Sequence, residues 1–410
     1  MDNKLYERAV EKLREYGQEH LLDYYNELTS TQKDELIEDI NELDFSFTRA
    51  YKSNSDGKKG KISSMDAMTI DEIKDNIEKY KSVGIEAIRE GKVAALMLSG
   101  GMGTRLGVDR AKGMVNIGLT KELYIFECLI NNLLEVVNET GTWIKLYIMT
   151  SNQNNDSIIR FMKEYNYFGY KEDEIIFFEQ ELAPVTDFDG NIMRSEKHVL
   201  LKSPNGNGGW FTTMLNQGLI GENSNEEYEW INVFSVDNVL QKIADPVFLG
   251  ATIVSKSTMG AKVVKKTSRD EKVGVMCLED GKPSIIEYYE MSDELLDASN
   301  EKGERLYQYG TILNYLFGVE ELKEIMKVEL PIHVVKKSVE CIDENGVKLK
   351  PTTENVFKYE TLALDLVKLS NSCLAFEVDR NKEFAPIKNK EGADSIETAR
   401  RLLLENGVEL

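Results

Sequence analysis

The 410-residue sequence predicts an α/β fold, a doubly wound and mainly parallel mixed sheet with an N-terminal helical segment and a short C-terminal helical region. Three observations predict it. Val93 to Leu98 is a short run of apolar residues, as in a strand buried on both faces of a parallel sheet. A glycine-rich loop, with Gly100, Gly101, Gly103 and Gly107, follows at once. Strand-like and helix-like segments then alternate as crossover units do: a helix near 121–138, a strand Lys145 to Thr150, a helix near 155–165 and a strand Ile175 to Glu179.

Composition narrows the partners. Lys and Arg number 50 against 71 Asp and Glu, a net charge of −21, which argues against a broad nucleic-acid or anionic-membrane surface. A polyanionic small substrate remains compatible where cations are gathered locally or a metal helps. Met1-Asp2-Asn3-Lys4 lead into no apolar segment and no run reaches membrane-spanning length, so neither a signal peptide nor a membrane span is expected. Cys128, Cys277, Cys341 and Cys373 lack metal-ligand spacing and fit packing roles in a reducing, cytoplasmic compartment. His20, His198 and His333 have no neighbours that name a catalytic partner.

Taken in order, the chain opens with apolar residues at helical spacing from Lys4 to about Asp44, among them Leu5, Ala9, Leu13, Leu21 and Leu22. Thr29 to Thr31 are cap residues ahead of a helix Gln32 to Leu43. Asn54 to Lys61 is polar and reads as a loop, and Ile70 to Arg89 as one charged amphipathic helix. The expected division is a helical segment 1–90, a central domain 91–394 and a short C-terminal helical piece 395–410.

The loop after Val93–Leu98 is the chemical centre. Its glycines let the backbone turn tightly and offer N–H groups to an anion, and Arg105 and Lys112 add positive charge. It is not a Walker A loop, because no Gly-Lys-Ser/Thr occurs. The spacing of Gly101, Gly103 and Gly107 is one residue too long for the dinucleotide fingerprint. Ligands in such sheets sit at the carboxyl ends of strands. Gln180 lies at the next such end, where its amide can both donate and accept. Ser203 to Trp210 holds a second glycine cluster, in which Gly206, Gly208, Gly209 and Asn207 could lie against a flat base. A strand Ile231 to Val236 ends at Asp237, a carboxylate placed to hold Mg²⁺ together with substrate phosphates. Asp245, followed by Pro246, reads as a structural cap.

These blocks carry a resemblance. Ser99-Gly100-Gly101-Met102-Gly103-Thr104-Arg105-Leu106-Gly107, then Ala111-Lys112-Gly113-Met114, resembles the glycine-rich signature of the eukaryotic-type UDP-sugar pyrophosphorylases, especially the UDP-N-acetylhexosamine pyrophosphorylases, with Ala111 at their usual proline. Further blocks are similar in unchanged order: Pro204 to Gly209 with Asn205 in place of aspartate, Val236 to Gly250, Ile285 to Glu290, Gly310 to Phe317, Leu330 to Lys337, Asn355 to Glu360 and Phe376 to Asn389. The resemblance implies a Rossmann-like nucleotidyltransferase domain. It also implies that Gln180 reads the uracil edge with Gly206 and Asn207, that Glu287 and Tyr288 approach the sugar, and that Lys358 and Lys388 approach phosphates. Thr311 stands where the family has a sugar-contacting asparagine, and Val356 where it has a glycine. Relatives carry a further C-terminal domain beyond the last helix, Ser395 to Asn406.

The implied activity is uridylyl transfer from UTP to a sugar 1-phosphate. Gly100, Gly101, Gly103, Arg105, Lys112 and Mg²⁺ on Asp237 would neutralise the triphosphate while Lys358 and Lys388 hold the sugar phosphate. N-acetylglucosamine 1-phosphate is the expected acceptor, with glucose or N-acetylgalactosamine 1-phosphate as alternatives and a non-catalytic nucleotide-sugar sensor as a reading of another class. A monomer or weak homo-oligomer is expected.

Overall fold

A computed structural model describes residues 3–50, 60–221 and 224–410. The described residues fall into two compact units, one drawn from Met1–Lys58, Gln180–Gly209 and Leu330–Ala363, the other from Lys59–Glu179, Trp210–Glu329 and Leu364–Leu410. The grouping is discontinuous, whereas the sequence suggests contiguous segments.

The larger unit is built on a ten-stranded mixed sheet. Its strands are β1 (Ile62–Ser64), β2 (Val93–Leu98), β3 (Lys145–Thr150), β4 (Ile175–Glu179), β5 (Trp230–Ser235), β6 (Met259–Lys265), β7 (Val275–Glu279), β8 (Lys282–Ile286), β9 (Tyr309–Gly318) and β10 (Cys373–Glu377). The order β4-β3-β2-β5 is parallel throughout. Beyond β5 the long strand β9 runs antiparallel to it, β6 runs antiparallel to β9, and β10 is parallel to β6. β7 meets β9 at Gly310 and pairs with β1 and β8. All six residues of β2 are buried, the burial its unbroken apolar run predicts for a strand covered on both faces.

From β2 the chain moves to β3 and β4 on one side and returns to β5 on the other, so the sheet order reverses between β2 and β5. This is the switch point where open α/β sheets leave a crevice at the strands' carboxyl ends. In register, Leu98 lies opposite both Met149 of β3 and Ser235 of β5, so the glycine-rich loop and Asp237 leave the sheet side by side.

Several boundaries differ from expectation. The helix anticipated over Ile70 to Arg89 is two helices, Ile70–Asp75 and Ile77–Arg89. Asn76 separates them at φ −122°, ψ 12°, and its side-chain amide donates to Glu72 O at 3.1 Å, a local bond that competes with helix continuation. The strand expected at Ile231 to Val236 is Trp230–Ser235, and the helix near 121–138 is Ile125–Thr140. Most of the anticipated loop Asn54 to Lys61 lies outside the described residues.

In the smaller unit the helices Asn3–Tyr16 and Ser30–Glu42 bury Leu13, Leu36, Ile37 and Ile40 together with Ile192 and Leu200. Thr29 and Gln32 form a capping box at the second helix, which begins at Ser30, two residues earlier than the predicted start. Four short antiparallel pairs complete it, Leu182–Pro184 with Lys202–Pro204, Arg194–Glu196 with Val199–Leu200, His333–Lys337 with Val356–Glu360 and Cys341–Ile342 with Lys348–Leu349. Among the described residues no helix is long and apolar enough to cross a membrane.

Candidate active site

Within the larger unit the loop after β2 folds back on itself. Gly103 N–H donates to Arg110 O at 2.8 Å and Lys112 N–H to Gly101 O at 3.2 Å, around a bridge between Met102 and Ala111. Ala111 is fully buried in the family's proline position, and the bridge holds the turn there. Gly103 is required sterically, since a Cβ on it would lie 2.6 Å from Val108 Cγ2 and 3.1 Å from Arg110 O. A Cβ on Gly101 would meet nothing within 4 Å, so the space above that peptide is open, as an anion cradle demands. Arg105 is exposed on the turn Thr104–Leu106, next to Gly107 at φ +78°.

Lys112 turns inward. Its Nζ donates to Asp237 Oδ1 at 2.7 Å, with the two side chains 14% and 26% exposed. Asp237 is held from three sides: its N–H donates to Ser235 Oγ at 3.2 Å, its carbonyl accepts from Ile387 N–H at 2.9 Å, and its carboxylate meets Lys112. The neighbouring Asn238 is buried, its amide donating to Glu383 O at 2.7 Å and its oxygen accepting from Ala385 N–H at 2.8 Å. This clasp brings Lys388, one residue past Ile387, beside Asp237. Lys388 N–H donates to Asp394 O at 2.6 Å, and its Nζ lies 3.7 Å from Asp394 Oδ2.

A divalent cation would find one partly exposed carboxylate here. Among the described residues no group of three His, Cys, Asp or Glu is arranged to hold a metal. An all-oxygen site of one carboxylate completed by substrate phosphates and water is the kind Mg²⁺ accepts, so Asp237 fits that ion.

Glu287 and Thr311 meet around Gly274. A Cβ on Gly274 would lie 3.3 Å from Glu287 Oε1 and 3.5 Å from Thr311 Oγ1, and the threonine hydroxyl donates to Gly274 O at 3.3 Å. Tyr288 is 40% exposed on the turn Tyr288–Glu290. Asp245 caps the helix Pro246–Val254 by accepting from Val247 N–H at 3.0 Å, the role its sequence context predicts.

The remaining predicted residues belong to the smaller unit. The second glycine cluster packs against the chain at Thr361 and Leu362. A Cβ on Gly206 (φ +86°) would lie 2.2 Å from Thr361 O, and one on Gly208 2.7 Å from Leu362 N. Asn207 Oδ1 accepts from Ala363 N–H at 2.9 Å, and Asn205 N–H donates to Glu181 O at 3.1 Å, next to half-buried Gln180. These glycines therefore make room for the protein's own backbone. Lys358 lies half-buried on Val356–Glu360, opposite Val335.

Of the supporting residues, Ser235, Asp394 and Thr361 carry no sequence signal. Asn238 had one: it stands beside Asp237 in the block that suggested the metal ligand.

The family profile described as UTP–glucose-1-phosphate uridylyltransferase matches residues 44–404. The chain belongs to that family. Its relatives include the UDP-N-acetylhexosamine pyrophosphorylase-like protein 1 of Xenopus tropicalis, 32% identical over 96% of this chain and 82% of that protein. The UDP-N-acetylglucosamine pyrophosphorylase of Saccharomyces cerevisiae is 33% identical over 97% of this chain and 86% of its own. The crystal structure of the Trypanosoma brucei uridine diphosphate N-acetylglucosamine pyrophosphorylase in complex with inhibitor superposes with a TM-score of 0.80 at 25% identity, covering 97% of this chain and 84% of that one.

Proposed function

We propose that this chain is a nucleotidyltransferase that forms UDP-N-acetylglucosamine and pyrophosphate from UTP and N-acetylglucosamine 1-phosphate. The observation that carries the reading is the Lys112–Asp237 pair at 2.7 Å, set beside an open glycine loop at the switch point of the sheet. Family membership and the names of the relatives support the substrate pair.

The physical problem is to bring two polyanions together. A phosphate oxygen of the sugar 1-phosphate attacks the α-phosphorus of UTP, a new P–O bond forms, and the α–β bridging bond breaks with its electron pair leaving on pyrophosphate. The attacking phosphate is already ionised near neutral pH, so no side chain has to remove a proton. The work is positioning and charge neutralisation, which suits a site whose chemistry rests on Arg105, Lys112 and Lys388 rather than on histidine or cysteine. Gly100 and Gly101 offer backbone N–H groups to the triphosphate, while Gly103, whose N–H is given to Arg110 O, shapes the turn. Asp237 would hold Mg²⁺ with substrate phosphate oxygens, and the ion would supply further neutralisation of the leaving group. The resemblance to the family assigns uracil recognition to Gln180, Gly206 and Asn207 and the sugar phosphate to Lys358. Glu287, Tyr288 and Thr311 contact the sugar. Four buried free cysteines suit a cytoplasmic enzyme, acting as a monomer or weak homo-oligomer.

The test is pyrophosphate release from UTP and Mg²⁺ with N-acetylglucosamine, N-acetylgalactosamine and glucose 1-phosphates in parallel. The expected result is a strong preference for the first. Preference for glucose 1-phosphate would overturn the sugar assignment, and no release with any sugar would overturn the enzymatic reading.

A further inference from the structure

Beneath the Asp237–Asn238 turn lies a buried ionic cluster that no step of the mechanism uses. Lys262, on β6 and fully buried, spends its three ammonium donors on Glu383 Oε2 at 2.6 Å, Asp245 Oδ2 at 2.9 Å and Lys242 O at 3.2 Å. Asp245 and Glu383 are each 7% exposed. Such a cluster is a poor device for stability, because desolvating the charges offsets their attraction and apolar replacements of the same volume often do as well or better. Its connections point to a different role.

Glu383 begins the segment that clasps the site. Its carbonyl accepts from the Asn238 amide, Asn238 Oδ1 accepts from Ala385 N–H, and Ile387 N–H donates to Asp237 O. On the other side Lys242 N–H approaches the same Glu383 oxygen at 3.4 Å, and Asp245 starts the helix Pro246–Val254. Lys262 thus ties Lys242 and Asp245 to the Glu383 side chain, while Asn238 ties the other end of the stretch to the Glu383 carbonyl, and through residue 383 the cluster sets the register of Ile387 and Lys388 against Asp237.

We propose that Lys262, with Asp245 and Glu383, is a positioning cluster that aligns Asp237 and Lys388 on the substrate phosphates. The proposal rests on the uridylyltransferase reading. Asp237 is anchored through its backbone by Ile387, so a slip of the 383–387 segment moves the carboxylate and the lysine together. An ångström-scale displacement of positioned groups lowers turnover by about a hundred-fold.

The experiment compares wild type with the isosteric, uncharged triple variant Lys262→Met/Asp245→Asn/Glu383→Gln, and with Glu383→Gln alone. Four quantities are read: melting temperature, kcat and KM for pyrophosphate release, and the ratio of UTP affinities by calorimetry with and without Mg²⁺. The expected result is a triple variant that melts at or above the wild-type temperature, with kcat down by about a hundred-fold and the Mg²⁺-linked tightening of UTP binding reduced. Glu383→Gln should move kcat and the affinity ratio in the same direction by a smaller factor. Wild-type kcat and affinity ratio in both variants would overturn the proposal, as would a lowered melting temperature with unchanged kcat in the folded fraction. Wild type serves as the separate check on the reading beneath: if it releases no pyrophosphate, that reading fails, whereas the affinity ratio still reports whether the cluster aligns Asp237.

Discussion

Lys112 on the loop after β2 and Asp237 at the end of β5 share a 2.7 Å hydrogen bond across the point where the strand order of the sheet reverses. The pair joins the glycine-rich loop to the carboxylate proposed to hold Mg²⁺. The lysine is therefore held in place before substrate arrives, and the carboxylate keeps its charge balanced.

Removing the lysine should separate chemistry from stability. Lys112→Ala is expected to lower kcat by about 10² to 10³, the range seen when one donor to a developing charge is lost. The pair is partly exposed, 14% and 26%, so unfolding free energy should fall by only about 1 kcal/mol. Steady-state kinetics and a urea titration on the same preparation check both numbers. An unaffected rate would remove Lys112 from the phosphate site.

Two glycines should respond in opposite ways to alanine. At Gly206 a Cβ would sit 2.2 Å from Thr361 O with φ at +86°, so Gly206→Ala should cost about 2 to 4 kcal/mol of stability. At Gly101 the added methyl meets nothing within 4 Å of the folded chain. Gly101→Ala should leave stability within about 0.5 kcal/mol and raise KM for UTP, because the methyl occupies the space assigned to phosphate. Thermal melts and UTP kinetics distinguish the two. A stable Gly206→Ala protein would contradict the close approach to Thr361.

The contrast also marks what could be read from sequence. The β2 strand and the turn after it were legible because a continuous apolar run marks a buried strand and glycines mark a tight turn, both of them local patterns. Asp245 was legible as a cap because Pro246 stands beside it. Gly206 was visible as a glycine, but its steric reason is Thr361 O, more than 150 positions along the chain, and no local pattern reports that. The same holds for the joining of Gln180–Gly209 and Leu330–Ala363 to the N-terminal helices, which rests on single long-range contacts: Gln18 with Gly190 and Ile192, Tyr24 with Glu344, and Thr186 with Phe357. The break at Asn76 was missed for the opposite reason: apolar spacing continues through it, while one side-chain bond to Glu72 O ends the helix.

Thr311 carries the sugar prediction. Its hydroxyl shares the space around Gly274 with Glu287, and it can offer one hydrogen bond where an asparagine offers more. Thr311→Val keeps the shape and removes the polar atom. Losing one bond of about 1 kcal/mol should raise KM for the sugar 1-phosphate by about five-fold, with KM for UTP unchanged. Equal shifts in both constants would mean the substitution disturbs β9 and not the sugar contact.

The last prediction concerns pH, and its sign follows from the buried cluster. Burial alone would push the Asp245 carboxyl up and the Lys262 ammonium down. The charge of Lys262, then that of Lys242, outweighs burial and holds Asp245 below its ordinary 3.8, while Asp245 and Glu383 hold Lys262 above its ordinary 10.5. A depressed carboxylate adds stability that is present above its unfolded value and lost as pH falls through the folded one. A raised lysine adds stability that is present below 10.5 and lost as pH climbs through its folded value. Between about pH 5 and 9 neither group titrates, so the difference in urea midpoint between wild type and the uncharged triple variant should be constant there. That difference should move against wild type below pH 3.8 and again above pH 10.5. A difference that stays level from acid through alkali would mean that neither charge is held by the other.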